Sequence, residues 1–166
     1  MIFYPKAFYK NVTEITYDYL KENDIEALIL DMDNTLIDYD RNMPEEIKKW
    51  TNDIREKGIK LFILSNTNKE EKVKEVADKL DLEYIHFGMK PFKQGFKKAK
   101  EKLNLNSEKI AVVGDQIFTD IIGANRMKMF PILVEPLKEK DIFITLIKRP
   151  IENFIKRKYL STKEEE

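Results

Sequence analysis

Short apolar runs alternate with amphipathic, charged stretches along this chain. Ala27-Leu28-Ile29-Leu30 is a continuous apolar run, as a strand buried on both faces requires. Pro44 to Lys57 has helical spacing, with Ile47, Trp50 and Ile54 on one face; Pro44 suits the first turn and Gly58 the end. Ile59 to Leu64 reads as a second strand. Lys69 to Leu80 reads as a helix with Val73, Val76, Ala77 and Leu80 inward. Tyr84 to Phe87 is a short third strand, and Pro91 to Leu103 a helix striped by Phe92, Phe96, Ala99 and Leu103. Ile110 to Val113 is another buried strand, Thr119 to Met129 a short helix, and Pro131 to Val134 the last strand. Strand and helix in alternation predict an α/β fold with a parallel central sheet and helices on both faces, α/β/α in three layers.

Composition narrows the chemistry. With 166 residues, the natural reading is one domain over residues 1–160 and a charged tail at 161–166. Basic and acidic residues balance, 30 against 30, so no overall field points to nucleic acid and any electrostatic function must be local. There is no cysteine, which excludes disulfides, thiolate metal sites and a cysteine nucleophile. The one histidine, His86, excludes a histidine-rich zinc site and reads as structural. No apolar run approaches the ~20 residues needed to span a bilayer, and the N-terminal apolar stretch is interrupted by Pro5, Lys6 and Lys10. These features lead us to expect a cytoplasmic protein.

In parallel sheets, ligands bind beyond the carboxyl ends of the strands. Four polar motifs fall at those ends. Asp31-Met32-Asp33-Asn34-Thr35-Leu36 follows the first strand. Two aspartates at i and i+2 after an apolar strand need a cation nearby. One can attack phosphorus and the other can shuttle a proton. Ser65-Asn66 follows the second strand, where a hydroxyl and backbone N–H groups can hold phosphoryl oxygens. Lys90-Pro91 follows the third and offers a compact positive charge. Gly114-Asp115-Gln116-Ile117-Phe118-Thr119-Asp120 follows the fourth. There Asp115 offers an oxygen ligand for Mg²⁺, and Asp120 can anchor Lys90, hold metal-bound water or favour a helix start.

DMDNTL, SN, KP and GDQIFTD, in this order, resemble the four signature motifs of the haloacid dehalogenase superfamily. The resemblance implies a Rossmann-like fold and a Mg²⁺ cofactor. It makes Asp31 the nucleophile and Asp33 the acid/base, with the phosphoryl group bound by Ser65, Asn66 and Lys90. It places the metal on Asp31, the Asp33 backbone carbonyl and Asp115, with Thr35 and Asp120 in support. Over most of the chain the pattern is similar to the YqeG-type group of subclass IIIA, whose members are similar to phosphatidylglycerophosphate phosphatases. Thr67 stands where that group commonly has Asn, and Met89 where it commonly has Arg.

The intervals between motifs are too short for a cap domain, so the expected site is open to a phosphorylated substrate, including a phospholipid head group at a membrane surface. Two segments bear on peripheral membrane contact. Ile2, Phe3, Tyr4, Phe8 and Tyr9 crowd the N-terminus, and Ile147, Ile151, Phe154 and Ile155 share a helical face flanked by Lys148, Arg149, Lys156, Arg157 and Lys158. Packing of both onto the domain is the alternative. So is a soluble nucleotide, sugar-phosphate or metabolite substrate. A receiver-like phosphoacceptor module also uses an acidic pocket, a hydroxyl and a lysine, but Asp33 two residues beyond the nucleophile argues for turnover. A scaffold with a relic site would carry a cluster of unused carboxylates, a burden on stability.

Overall fold

The computed structural model describes residues 1–138, 153 and 155–161. Six parallel strands form one sheet: β1 (Ala7–Tyr9), β2 (Ala27–Leu30), β3 (Lys60–Leu64), β4 (Glu83–Ile85), β5 (Ile110–Gly114) and β6 (Phe130–Val134). Their spatial order is β1-β6-β5-β2-β3-β4. From β2 the chain first builds outward through β3 and β4, then returns to lay β5 on the other flank of β2. The order therefore reverses between β2 and β5, and side chains beyond their carboxyl ends share one crevice. The three-layer α/β/α reading of the sequence is what the chain adopts.

Strand alternation assigns the two faces. Leu28, Leu30, Leu61, Ile63, Ala111 and Val113 face a core shared with α1 (Tyr17–Glu22), α2 (Glu45–Glu56) and α3 (Glu70–Leu80). Ala27, Ile29, Phe62, Leu64 and Val112 face the other core, filled by Phe96, Ala99 and Leu103 of α4 (Lys93–Leu103) and Ala124 of α5 (Ile122–Arg126). Trp50 is buried and donates its indole N–H to the Ile15 carbonyl at 2.8 Å, tying α2 to the N-terminal segment. Gly58 ends α2 at φ 97°, where a residue with Cβ would be strained. Between Asp33 and Ser65 the chain holds α2 and β3, and between Ser65 and Lys90 it holds α3 and β4, so neither interval carries an inserted domain.

Several details differ from the pattern-based reading, and one is Phe92, expected on the buried stripe of α4 but exposed just before that helix begins. The N-terminal aromatic segment contains β1, which extends the sheet by pairing Ala7 with Ile132 and Tyr9 with Val134. Three residues are too few for a periodicity signal, which is why the strand was invisible in the sequence. Phe3 packs edge-on against Phe118 at 6.3 Å and Tyr4 lies 6.0 Å from Tyr159, while Phe8 joins the small cluster of Ile117, Ile121 and Leu133. Of the five crowded residues only Ile2 is exposed. The third strand ends at Ile85, and Phe87 turns outward in a left-handed conformation. The helix expected over Thr119–Met129 begins with a π-helical turn, Ile117–Ile121, before α5. Ile147, Lys148, Arg149, Ile151 and Phe154, and residues 162–166, lie outside the described residues. Residues 155–161 are helical; Ile155 packs on the Ile117 cluster, and Lys156 sits 5.4 Å over the Phe8 ring.

Candidate active site

Asp31 continues the ladder at the end of β2: its N–H donates to the Val113 carbonyl at 2.9 Å, which places it directly beside β5. The chain then turns sharply. The N–H groups of Thr35, Leu36 and Ile37 converge on the Met32 carbonyl at 3.2, 2.9 and 3.3 Å, and Asn34 takes a left-handed conformation. The turn brings the Thr35 hydroxyl back to Asp31 Oδ2 at 3.2 Å.

The third motif is aimed by its neighbours. Asn66 accepts from the Lys90 N–H at 2.7 Å and donates to the Lys90 carbonyl at 2.9 Å, so its side-chain amide holds the Lys90 backbone. Phe87 and Met89 both have positive φ around Gly88, where a Cβ would lie 2.6 Å from Leu64 Cδ1. The buried Lys90 ammonium donates to Asp31 Oδ1 and Asp120 Oδ1, each at 2.7 Å. Burial works against that ammonium, but the charges of Asp120 and Asp31 outweigh it and hold its pKa above the usual lysine value.

Asp120 reaches Lys90 because Gly114 has no side chain: a Cβ there would sit 2.1 Å from Asp120 Oδ2. That second oxygen accepts from the Gln116 N–H at 3.2 Å. Burial and then the neighbouring Asp31 charge push the Asp120 carboxyl up to about 7, against the pull of Lys90. Asp115 is fully buried at the end of β5. Asp31, Asp115 and Asp120 offer carboxylate oxygens within 4.8 Å of one another. Three buried carboxylates against one ammonium leave an excess of negative charge, and hard oxygen donors so arranged suit a divalent cation.

Ser65 is buried at the end of β3, where its Oγ accepts from the Thr67 N–H at 3.2 Å; a hydroxyl that accepts can still donate. Asp33 stands apart from the buried group. Its carboxylate is half-exposed and pairs with Lys72 of α3 at 2.5 Å. The sequence reading did not pick out Lys72. The available signal was slight: Lys72 has Val76 four residues on, whereas Lys74 has Asp78. His86 lies to one side, with Nδ1 3.8 Å from Glu70.

A doubly wound sheet with a buried carboxylate–lysine cluster at its switch point places the chain among α/β proteins that handle anionic groups. A model of the haloacid dehalogenase-like hydrolases matches residues 41–128. The chain is 38% identical to the "Probable phosphatase YqeG" of Bacillus subtilis (strain 168) over 154 residues, 92% of this chain and 89% of that one. It belongs to the haloacid dehalogenase-like hydrolase family, as an enzyme of the phosphatase kind. The fold is shared with an uncharacterized Listeria monocytogenes serotype 4b protein, at TM-score 0.57 and 21% identity, covering 71% of this chain and 85% of that one. A putative hydrolase of the same family from Streptomyces avermitilis MA-4680 aligns at TM-score 0.55 and 23% identity, over 70% and 75% of the two chains.

Proposed function

We propose that this protein is a Mg²⁺-dependent phosphomonoesterase that carries the phosphoryl group through an aspartyl-phosphate on Asp31. The observation that carries the reading is the bridge of Lys90 between Asp31 and Asp120, 2.7 Å to each, inside a cluster that includes Asp115. Thr35 and Lys90 together fix the orientation of the Asp31 carboxylate, as a nucleophile in in-line attack requires. Asp31 attacks phosphorus, and the P–O bond to the alcohol breaks. Asp33 gives its proton to the departing oxygen, then takes one from the water that hydrolyses the acyl phosphate. Lys90 and the Ser65 hydroxyl bind the non-bridging oxygens. Asn66 acts through Lys90, whose backbone it clamps. Mg²⁺ would be held by Asp31, Asp115 and the Asp33 backbone carbonyl, offsetting the repulsion between carboxylate and phosphate.

The substrate we assign is a phosphomonoester on a phospholipid head group, phosphatidylglycerophosphate in the first instance, met by a cytoplasmic enzyme at the membrane surface. The similarity of the motif pattern to phosphatidylglycerophosphate phosphatases motivates the assignment, and the short, uncapped intervals between the motifs leave the site open enough to admit a head group. Residues 1–160 act as one domain in this reading. The test is phosphate release from phosphatidylglycerophosphate in mixed micelles beside a panel of soluble phosphomonoesters, with Mg²⁺ or EDTA. Lipid turnover that needs Mg²⁺, far exceeds the soluble panel and is lost in Asp31→Asn is the expected result. Preference for a soluble ester would retain the mechanism and overturn the substrate. A stable phosphorylated Asp31 without turnover would replace the enzyme by a phosphoacceptor switch.

A further inference from the structure

The mouth of the site carries a cation that the mechanism above leaves without a task. Lys72 lies in the first turn of α3, which enters from the carboxyl edge of the sheet just after the Ser65 loop. Its side chain is 19% exposed, and its ammonium sits 2.5 Å from Asp33 Oδ1. The other two lysines of α3 behave differently. Lys74 pairs with Asp78 at 2.9 Å and Lys79 with Glu75 at 3.1 Å, both along the helix's own surface and both at least half exposed. Lys72 instead crosses from α3 to the loop after β2. The Lys72 side chain is largely covered while its partner carboxylate remains 42% exposed, so the pair stands at the boundary between the site and solvent.

Asp33 is the group that must reach the leaving oxygen, within hydrogen-bond reach of roughly 2.6–3.2 Å. A cation in contact with the same carboxylate therefore lies within roughly 6–8 Å of that oxygen, beside the part of the substrate that departs. The flexible four-carbon stem of lysine lets the ammonium follow a ligand over that range. When Asp33 turns to the leaving oxygen, Lys72 loses its counter-charge unless the substrate supplies another.

We propose that Lys72 determines specificity by binding a second anionic group, a carboxylate or phosphodiester, that the leaving alcohol carries within a few bonds of the ester oxygen. Substrate entry is then an exchange of partners: Asp33, released from Lys72, takes up a proton from solvent and donates it to the leaving oxygen, and Lys72 trades Asp33 for the substrate's anion. This inference rests on the phosphatase reading and on Asp33 as its acid. It commits the leaving group to a charge that a lipid-linked or a soluble alcohol can bear equally.

The experiment follows turnover of p-nitrophenyl phosphate and measures competitive inhibition by matched esters. Glycerol 3-phosphate has a neutral leaving alcohol, and 3-phosphoglycerate has a carboxylate in place of its terminal hydroxymethyl group. Glycerophosphoglycerol phosphate carries a phosphodiester instead. A hydrogen bond between charged groups predicts that the wild type binds the anionic esters on the order of tenfold more tightly than glycerol 3-phosphate. Lys72→Met brings that ratio close to one, and Lys72→Arg retains it. The carboxylate and phosphodiester arms separate a small-acid substrate from a head-group substrate. A wild-type ratio near one, or a preference that survives in Lys72→Met, overturns the proposal. So does a variant with lower kcat but an unchanged inhibition ratio, because Lys72 would then only hold Asp33. Wild-type protein that releases phosphate from neither p-nitrophenyl phosphate nor phosphatidylglycerophosphate, or Asp31→Asn with turnover intact, sinks the parent reading, and this inference falls with it.

Discussion

Of the lysines that sit between two carboxylates, Lys90 and Lys109 lie at opposite ends of the same sheet. Lys90 bridges Asp31 and Asp120 at the carboxyl end, at 2.7 Å to each, with all three side chains buried. Lys109 lies between Asp24 and Glu26 at the amino end, at 2.5 and 3.6 Å, where the acids are 76% and 52% exposed. The contacts are alike and the consequences are not. Around Lys109, water screens the charges and the arrangement contributes little. Around Lys90, three charged groups have been taken out of water, which is costly unless each is compensated. The chain arranges that compensation through the Gly114 gap, the Asn66 clamp and the Thr35 and Gln116 hydrogen bonds. Investment of that kind at a strand switch point marks chemistry, whereas the amino-end cluster marks a solvated surface.

The sharpest way to break the comparison is to remove one acid from each cluster and assay phosphatase activity. Asp31→Asn is expected to lower kcat by about 10⁴-fold or more, as loss of a nucleophile does in enzymes with covalent intermediates. Asp24→Asn is expected to leave it unchanged. Equal effects would mean that burial around Lys90 serves stability alone.

Stability separates the two lysines next. Lys90→Met leaves Asp31 and Asp120 facing each other without a cation. It is expected to cost about 3–5 kcal/mol, a fall in melting temperature on the order of 10 °C for a chain of this size. Lys109→Met is expected to melt with the wild type. Thermal unfolding in EDTA checks both, and a stable Lys90→Met protein would show that the site tolerates its unpaired acids.

A smaller effect tests the gap that admits Asp120. Gly114→Ala places a methyl 2.1 Å from Asp120 Oδ2, an overpacking expected to cost about 1–3 kcal/mol. Activity should fall with it, because Asp120 must move away from Lys90. A variant as stable and active as the wild type would show that the Asp120 anchor is dispensable.

The last prediction concerns pH. The folded-state carboxyl of Asp120 is raised from its ordinary value to about 7. A raised carboxyl favours the protonated native state, so its contribution is fully present below about pH 4 and is lost as pH climbs to 7. In EDTA, the stability of the wild type relative to Asp120→Asn should therefore decline between those limits and level off above them. A flat difference would mean that Lys90 neutralises Asp120 throughout.

Much of this architecture was legible in the chain. Ala27–Leu30 and Ile110–Val113 are uninterrupted apolar runs, and only strands covered on both faces make use of such runs. The stripes on α2, α3 and α4 announced which side each helix buries, except that Phe92, expected in the α4 stripe, stands just before the helix and is exposed. Strand β1 could not be read, because three residues among aromatics carry no period and its place on β6 depends on contacts more than a hundred residues away. The π-helical turn before α5 had no local signal either; within it Asp120 meets Lys90, a partner distant in sequence.

Sequence alone determined the alternation of strand and helix and the placing of Asp31, Ser65, Lys90 and Asp115 at strand ends, because periodicity and strand termini are local properties. Tertiary structure decided which of those groups meet. It turned Asn66 onto the Lys90 backbone, brought Asp120 through the Gly114 gap into the carboxylate group, and set Lys72 against Asp33 across thirty-nine positions of chain. Such pairings depend on β3 and β4 lying in order on one side of β2 and on the crossover from β4 that lays β5 on the other side, and no local pattern of residues encodes either.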